Sequence, residues 1–300
     1  MLHKKFKVAR NKFKSPLRYP GAKTKSVEFL RQRFYNPIEG KQYREAFLGG
    51  GSMAIEVTKY FGPSVSIWVN DLNYPLYCFW MNLQNHSERM IKDLYDIKDK
   101  MMSHYKEELW LKEDIKEIFI QSQEISKTSD DPYLMGLHFY VANKCSFSGL
   151  TQIGSYSHSS FKAAFSREAI KELTRYSVLI QNWKITNLDY SELLDGDDAF
   201  VFLDPPYEIG DNFLYGKGGD KHKGFDHDDF AKKCSESSNK IMITYNSDSK
   251  IKERFQGWNT EEWDLTYTMR SVGDYMEEQK NRKELLLTNY TRYESSGVLF

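Results

Sequence analysis

Neither charge sign is in surplus in this 300-residue chain: 42 Lys and Arg balance 42 Asp and Glu. Zero net charge excludes a protein coated in basic residues, although a local patch still suffices to meet nucleic acid. Cysteine is scarce too. Cys78, Cys145 and Cys234 lie far apart with no C-x-x-C spacing, which excludes a disulfide framework or a zinc ribbon and suits a reducing compartment. Long hydrophobic runs are missing. Stretches such as Ala199 to Leu203 fall far short of the ~20 residues a membrane span needs, so no membrane partner is expected. The basic N-terminus has no apolar stretch behind it and does not read as a signal peptide. A soluble, cytoplasmic protein is the expectation. Internal repeats and low-complexity tracts are absent as well.

What is present is globular composition, 40% hydrophobic and 28% charged, which argues against disorder. The first 25 residues hold Lys4, Lys5, Lys7, Arg10, Lys12, Lys14, Arg18, Lys23 and Lys25 without one acid. That is a candidate phosphate-contacting patch, with a solvated arm as the plain alternative. Short apolar runs ending at glycines or carboxylates predict parallel strands with a ligand site at their carboxyl ends. These are Gln42 to Phe47, Ser64 to Val69, Trp183 to Leu188, Ala199 to Leu203 and Lys240 to Tyr245. A helix is expected from Ser52, as N-cap, to Tyr60. Trp258 to Thr268 and Lys283 to Tyr293 read as a hairpin at the sheet edge. Between the second and third strands the chain changes character. Residues 84–130 have helical spacing of apolar and charged residues, and residues 143–165, rich in Ser, Gly and aromatics, read as loop or hairpin. The α/β domain is therefore expected over 1–81 and 183–300, with an insertion over 82–182.

The chemistry concentrates in Asp204-Pro205-Pro206-Tyr207, directly after an apolar strand. Two prolines cannot continue a ladder and fix φ, so the tetrapeptide predicts a rigid turn presenting a carboxylate, a carbonyl and an aromatic ring. Transfer to an aromatic amine needs those groups. The lone pair of an exocyclic amine is conjugated with its ring. Hydrogen bonds from its two N–H groups to a carboxylate oxygen and a carbonyl favour an sp³-like nitrogen aimed at a methyl donor, while the tyrosine stacks on the base. A capping aspartate in a stiff turn is the bland alternative. Phe47-Leu48-Gly49-Gly50-Gly51 gives a turn where backbone can approach a ligand, and Asp71, 22 residues after Gly49, ends the next strand. A carboxylate so placed binds ribose hydroxyls in nucleotide-type folds. That pair fits NAD as well as S-adenosyl-L-methionine, although the glycines do not form G-x-G-x-x-G.

In order along the chain, Pro16 to Lys23, the F-x-G-x-G of Phe47 to Gly51, Asn70-Asp71-Leu72-Asn73 and Asp204 to Tyr207 resemble the Dam-type (class alpha) N6-adenine DNA methyltransferases. The likeness extends to Gly224-Phe225-Asp226-His227, Met269-Arg270-Ser271 and Glu284 to Tyr290, over nearly the whole chain. It implies an α/β fold: a seven-stranded Rossmann-like methyltransferase sheet with an inserted, mainly helical target-recognition domain. It implies S-adenosyl-L-methionine as cofactor, double-stranded DNA as partner and N6 of a flipped adenine as the methyl acceptor. A cognate restriction endonuclease is an expected functional partner; phage protection or regulation are alternatives. No metal is called for, since a sulfonium already makes its methyl group electrophilic.

By matching position, the resemblance makes Tyr19 and Lys23 cofactor contacts, has Phe47, Gly49 and Gly51 frame the methionine end, puts Asp71 on the ribose and Asp189 on the cofactor's adenine. Asp204 serves the target amine, with a link to the cofactor. Residues Asn143 to Gln152 resemble the segment that reads the target, and Asn143, Lys144 and Gln152 are candidate groove contacts, since Asn and Gln pair well with adenine edges. Lys14 and Arg18 are candidate DNA contacts from the basic patch. Ser148 and Gln152 stand where the family often has Asn and Arg, so no target sequence carries over. The glycine-rich stretch 208–223 is expected to order over a flipped base or an incoming strand. N4-cytosine enzymes typically begin the tetrapeptide with Ser, and RNA or protein-amide methylases more often with Asn, so Asp204 favours adenine. A DNA-binding protein that lost catalysis and a nicotinamide oxidoreductase remain as alternatives.

Overall fold

The computed structural model describes residues 14–19, 21–34, 41–106, 112–151, 153–207, 225–264 and 283–291. Its strands are β1 (Gln42–Glu45), β2 (Ser66–Asn70), β3 (Trp183–Thr186), β4 (Ala199–Leu203), β5 (Lys240–Asn246), β6 (Asn259–Asp264) and β7 (Lys283–Thr288). They form one seven-stranded sheet in the order β3-β2-β1-β4-β5-β7-β6. β1 to β5 run parallel. β7 inserts antiparallel between β5 and β6, so the expected hairpin closes one edge, while its connection, 265–282, lies outside the described residues. All five residues of β4 are buried, which is why this strand reads as an unbroken apolar run: both its faces are covered.

The strand order positions the site. From β1 the chain continues to β2 and β3 on one side, and from β4 to β5 on the other. In open α/β sheets ligands bind outside the carboxyl ends of the strands at such a reversal. The glycine turn leaves β1 there, and Asp204 leaves β4 beside it.

The helices are α1 (Val27–Arg31), α2 (Ser52–Phe61), α3 (Tyr74–Asn85), α4 (Ser87–Lys106), α5 (Lys112–Thr128), α6 (Pro132–Cys145), α7 (His158–Ala164), α8 (Arg167–Leu179), α9 (His227–Glu236) and α10 (Ser249–Arg254). α2 falls where expected, but its cap does not. Gly51, at φ +68°, takes the capping position and Ser52 is the first helical residue, because the tight turn requires a left-handed residue there. Residues 143–165, expected as loop or hairpin, hold one isolated antiparallel bridge, Ser146 with Tyr156, followed by α7. α6 is nearly all buried, with Asp131 accepting from the Tyr133 amide at 2.8 Å as its cap and Pro132 in its first turn. Gly136 lets it lie directly on α3. A Cβ there would come within 2.5 Å of the Cys78 carbonyl carbon.

Two apolar clusters cover the sheet. One joins Tyr43, Phe200, Phe202, Met242 and Leu286 to Phe79, Trp80, Phe139, Tyr140 and Leu173, so helices from the region expected as an insertion share the core of the sheet. The other packs Val201, Leu203, Ile241 and Ile243 under Phe230 and Ile251. No helix among the described residues is long and apolar enough to cross a membrane.

Candidate active site

The turn after β1 is built without side chains where it faces the crevice. Gly49 and Gly51 have φ of +48° and +68°. The Tyr19 ring lies so close over Gly49 that a Cβ there would meet its Cε1 at 3.0 Å, and Trp80 packs as tightly on Gly51 while its Nε1 donates to the Gly49 carbonyl at 3.2 Å. Asp71, just past β2, is oriented by backbone. Its Oδ2 accepts from the Gly49 amide at 2.8 Å and its Oδ1 from the Asn73 amide at 2.9 Å. Asn73 adds a buried Oδ1 with no hydrogen-bond partner. Phe47 sits in an aromatic group, stacked on Tyr190 at 5.7 Å and edge-on to Phe225 and Phe230. Asp189 caps the short helical turn Tyr190–Leu193, accepting from the Ser191 amide at 3.0 Å and its hydroxyl at 2.6 Å, so the structure shows it in the capping role.

Asp204 is clamped from two sides. Lys23, 4% exposed, reaches its carboxylate at 2.7 Å. Thr244 donates to its Oδ1 at 2.7 Å. The second contact follows from register: Leu203 pairs with Ile243, so the next residues, Asp204 and Thr244, emerge side by side. Pro205 is buried behind Asp204. The Tyr207 ring lies with Lys23 Nζ 5.1 Å from its centroid and with Tyr245 at 5.8 Å.

The strap 14–19 joins this site to the segment from Asn143 to Thr151. Asn143, fully buried, spends its amide on the strap and its own turn: Oδ1 accepts from the Arg18 amide at 2.9 Å, and Nδ2 donates to the carbonyls of Arg18 and Gly149 and to Thr151 Oγ1. Where a groove contact was expected, the Asn143 amide has both ends taken up by these bonds, and in this structure it braces the strap. Arg18 Nη1 donates to the Ser146 carbonyl at 2.8 Å. Lys144 is buried beside Arg18, with no carboxylate among the described residues on it. Burial first, then the Arg18 charge, push its amine down to about 8. Lys14 is exposed, and its carbonyl accepts from the Tyr176 hydroxyl. Gln152, the loop 208–223 and the basic residues up to Lys12 lie outside the described residues.

A profile of the D12 class N6 adenine-specific DNA methyltransferases matches residues 19–269. The chain belongs to that family. It is an adenine-specific DNA methyltransferase, and the seven-stranded sheet is the methyltransferase sheet expected from the resemblance. Among relatives, the Type II methyltransferase M.MjaIII of Methanocaldococcus jannaschii is 23% identical over 297 residues, covering 91% of this chain and 98% of its own. A solved SAM-dependent O-methyltransferase from Thermotoga maritima aligns over 90% of this chain and 67% of its own, at 12% identity and a TM-score of 0.37.

The D12 methyltransferase site also holds residues that sequence reasoning missed. Glu45 ends β1 beneath the crevice, 3% exposed, accepting from the Tyr43 hydroxyl at 2.8 Å. Burial pushes its carboxyl up to about 8. The nearby Asp204 and Asp71 carboxylates push the same way, and the Tyr43 hydroxyl and Ala54 amide pull partly back. Glu45 is therefore protonated at neutral pH. Its signal was there to read, a carboxylate inside an apolar strand just before the glycines. Thr244 and Glu284 left no comparable mark, being single polar residues of strands remote in sequence.

Proposed function

We propose that this methyltransferase moves a methyl group from S-adenosyl-L-methionine to N6 of an adenine turned out of double-stranded DNA. The observation that carries the reading is the clamped carboxylate of Asp204, held by Lys23 and Thr244 at the strand-order reversal. A carboxylate fixed before substrate arrives pays no reorganisation when charge develops on the amine.

The residues around the crevice fit the cofactor. The positive-φ glycines let Tyr19 and Trp80 pack directly against the turn, which fixes its backbone at the carboxyl end of β1. Asp71, aimed by two backbone amides, suits a ribose diol, and the partnerless Asn73 Oδ1 is an acceptor in the same turn. Bound there, S-adenosyl-L-methionine supplies an electrophilic methyl group. Asp204 would accept a hydrogen bond from one N6–H and a backbone carbonyl of the Asp204–Pro206 turn from the other. The two bonds bring the nitrogen lone pair out of conjugation, and the proton that N6 sheds once methylated passes to solvent. Lys23 holds the Asp204 carboxylate in place, and Tyr207 offers a face for the base. Flipping is required because N6 in a duplex is paired and buried in the stack. Arg18 and Lys144 are the proposed phosphate contacts of the described residues, with Lys14 at the edge of the same strap and Gln152 as the proposed reader of base edges. Pairing with a cognate restriction endonuclease is supported by the Type II name of the relative.

The test uses tritiated methyl from S-adenosyl-L-methionine and unmethylated genomic DNA, with modification-detecting sequencing to read base and target. Wild type is expected to label adenine. Asp204→Ala is expected to lose transfer by about 3 kcal/mol or more of transition-state stabilisation while still binding the cofactor. Wild-type turnover in Asp204→Ala would refute the mechanism.

A further inference from the structure

The tip of Tyr207 is held by a residue to which the amine chemistry assigns nothing. Its hydroxyl donates to Glu284 Oε2 at 2.5 Å, and Glu284 is 3% exposed. Glu284 is the second residue of β7, paired with Asn246 of β5 on one side and with Trp263 of β6 on the other. Ladders on both flanks therefore hold its backbone.

The acid heads an otherwise apolar run. The next three residues are Leu285, Leu286 and Leu287, all buried. A leucine at 284 would fill the position without the several kcal/mol that desolvating a carboxylate costs. The phenol bond, at 2.5 Å, offsets part of that cost. What it adds is direction. A tyrosine ring turns about its first side-chain bonds, and a constraint at the hydroxyl, the atom farthest from that pivot, fixes the ring plane most firmly. Tyr245 at 5.8 Å and the Lys23 ammonium at 5.1 Å bound the ring elsewhere. Lys23 also holds Asp204. A connected chain of contacts thus runs from Glu284 through the Tyr207 ring and Lys23 to Asp204 and Thr244.

We propose that Glu284 is a positioning residue for the target base: through the Tyr207 hydroxyl it sets the plane on which the adenine stacks, and so the angle at which N6 meets Asp204. The inference rests on the reading of Asp204 to Tyr207 as the amine site. It predicts a loss in kcat with saturating DNA rather than in cofactor affinity, because misdirected bases still bind but reach the near-attack geometry less often.

The experiment is a double-mutant cycle on the full chain with S-adenosyl-L-methionine and DNA carrying the enzyme's own site. Tyr207→Phe keeps the ring and removes only the hydroxyl; Glu284→Leu removes the acceptor; Glu284→Gln retains one. Tyr207→Phe and Glu284→Leu are each expected to lower kcat on the order of tenfold, with the cofactor dissociation constant moved less than about twofold. The double variant should be no slower than the slower single, since both delete one bond. Glu284→Gln should recover most of the rate. Full rate in Tyr207→Phe overturns the proposal, as does a double variant whose loss is the product of the singles. Should Glu284→Leu fail to fold, Tyr207→Phe and Glu284→Gln still decide it. Absence of methyl transfer by wild type would instead count against the functional reading itself.

Discussion

Glu45 shows how one residue can stabilise a site's electrostatics by staying neutral. Burial raises its carboxyl, and the neighbouring carboxyl groups of Asp204 and Asp71 add to the rise. Between the ordinary value of 4.5 and about 8, the native state holds a proton that the unfolded chain has lost. Stability therefore falls as pH rises through that window, at up to about 1.4 kcal/mol per pH unit. Glu45→Gln, which stays neutral, is expected to match wild type near pH 4.5 and to exceed it by a few kcal/mol above about pH 8. Thermal unfolding of the ligand-free protein at both pH values checks this; an equal difference at the two would show that Glu45 is ionised throughout. At this scale the sequence was uneven in what it disclosed. Asp204, Asp71 and the glycines were legible because their chemistry is local: a proline-stiffened turn, a strand end, a positive φ. Asn143 was misread because an amide that reads adenine edges and one that braces a strap look the same as letters. Thr244 and Glu284 come to the site only through register, 40 residues from Asp204 and 77 from Tyr207.

Among elements, the close crossing of α3 and α6 depends on Gly136. A methyl there would meet the backbone of Cys78 at 2.5 Å and Asn82 Nδ2 at 2.6 Å, and backbone cannot move aside without parting the helices. Alanine gains about 1 kcal/mol in helix propensity, yet overpacking a well-filled contact costs about 1–3 kcal/mol. The steric cost wins. Gly136→Ala should lower the urea midpoint with an unchanged slope, and a raised midpoint would show that this crossing has slack. The strands were readable as short apolar runs bounded by turn residues. α7 was not, because its sequence, His-Ser-Ser-Phe-Lys-Ala-Ala, begins with loop-like residues. What makes it a helix is its cap, Ser157 Oγ accepting from the Ser160 amide at 3.2 Å, and the fully buried Phe161. Both are products of the fold rather than of the pattern.

For the whole molecule, zero net charge is compatible with the proposed DNA contacts through placement. Arg18 and Lys144 stand together, and no carboxylate among the described residues neutralises either. Each phosphate neutralised by a cation releases counterions, so Lys144→Gln should reduce the slope of log affinity against log salt by about one. Wild-type affinity should also weaken as pH rises above about 8, where the unliganded Lys144 amine loses its proton. Salt titrations by fluorescence anisotropy would show both effects; an unchanged slope would remove Lys144 from the DNA interface.

The strap carries one more consequence. Gly149 presses so closely on Arg18 that a Cβ would fall 1.8 Å from the Arg18 carbonyl oxygen, and Asn143 bonds both the amide and the carbonyl of Arg18. One residue later, Tyr19 roofs the glycine turn. The stretch from Asn143 to Thr151 is therefore not an interchangeable cassette. Grafting another enzyme's reading segment into this chain would require residues 15–19 to travel with it, because the two were cut to one shape.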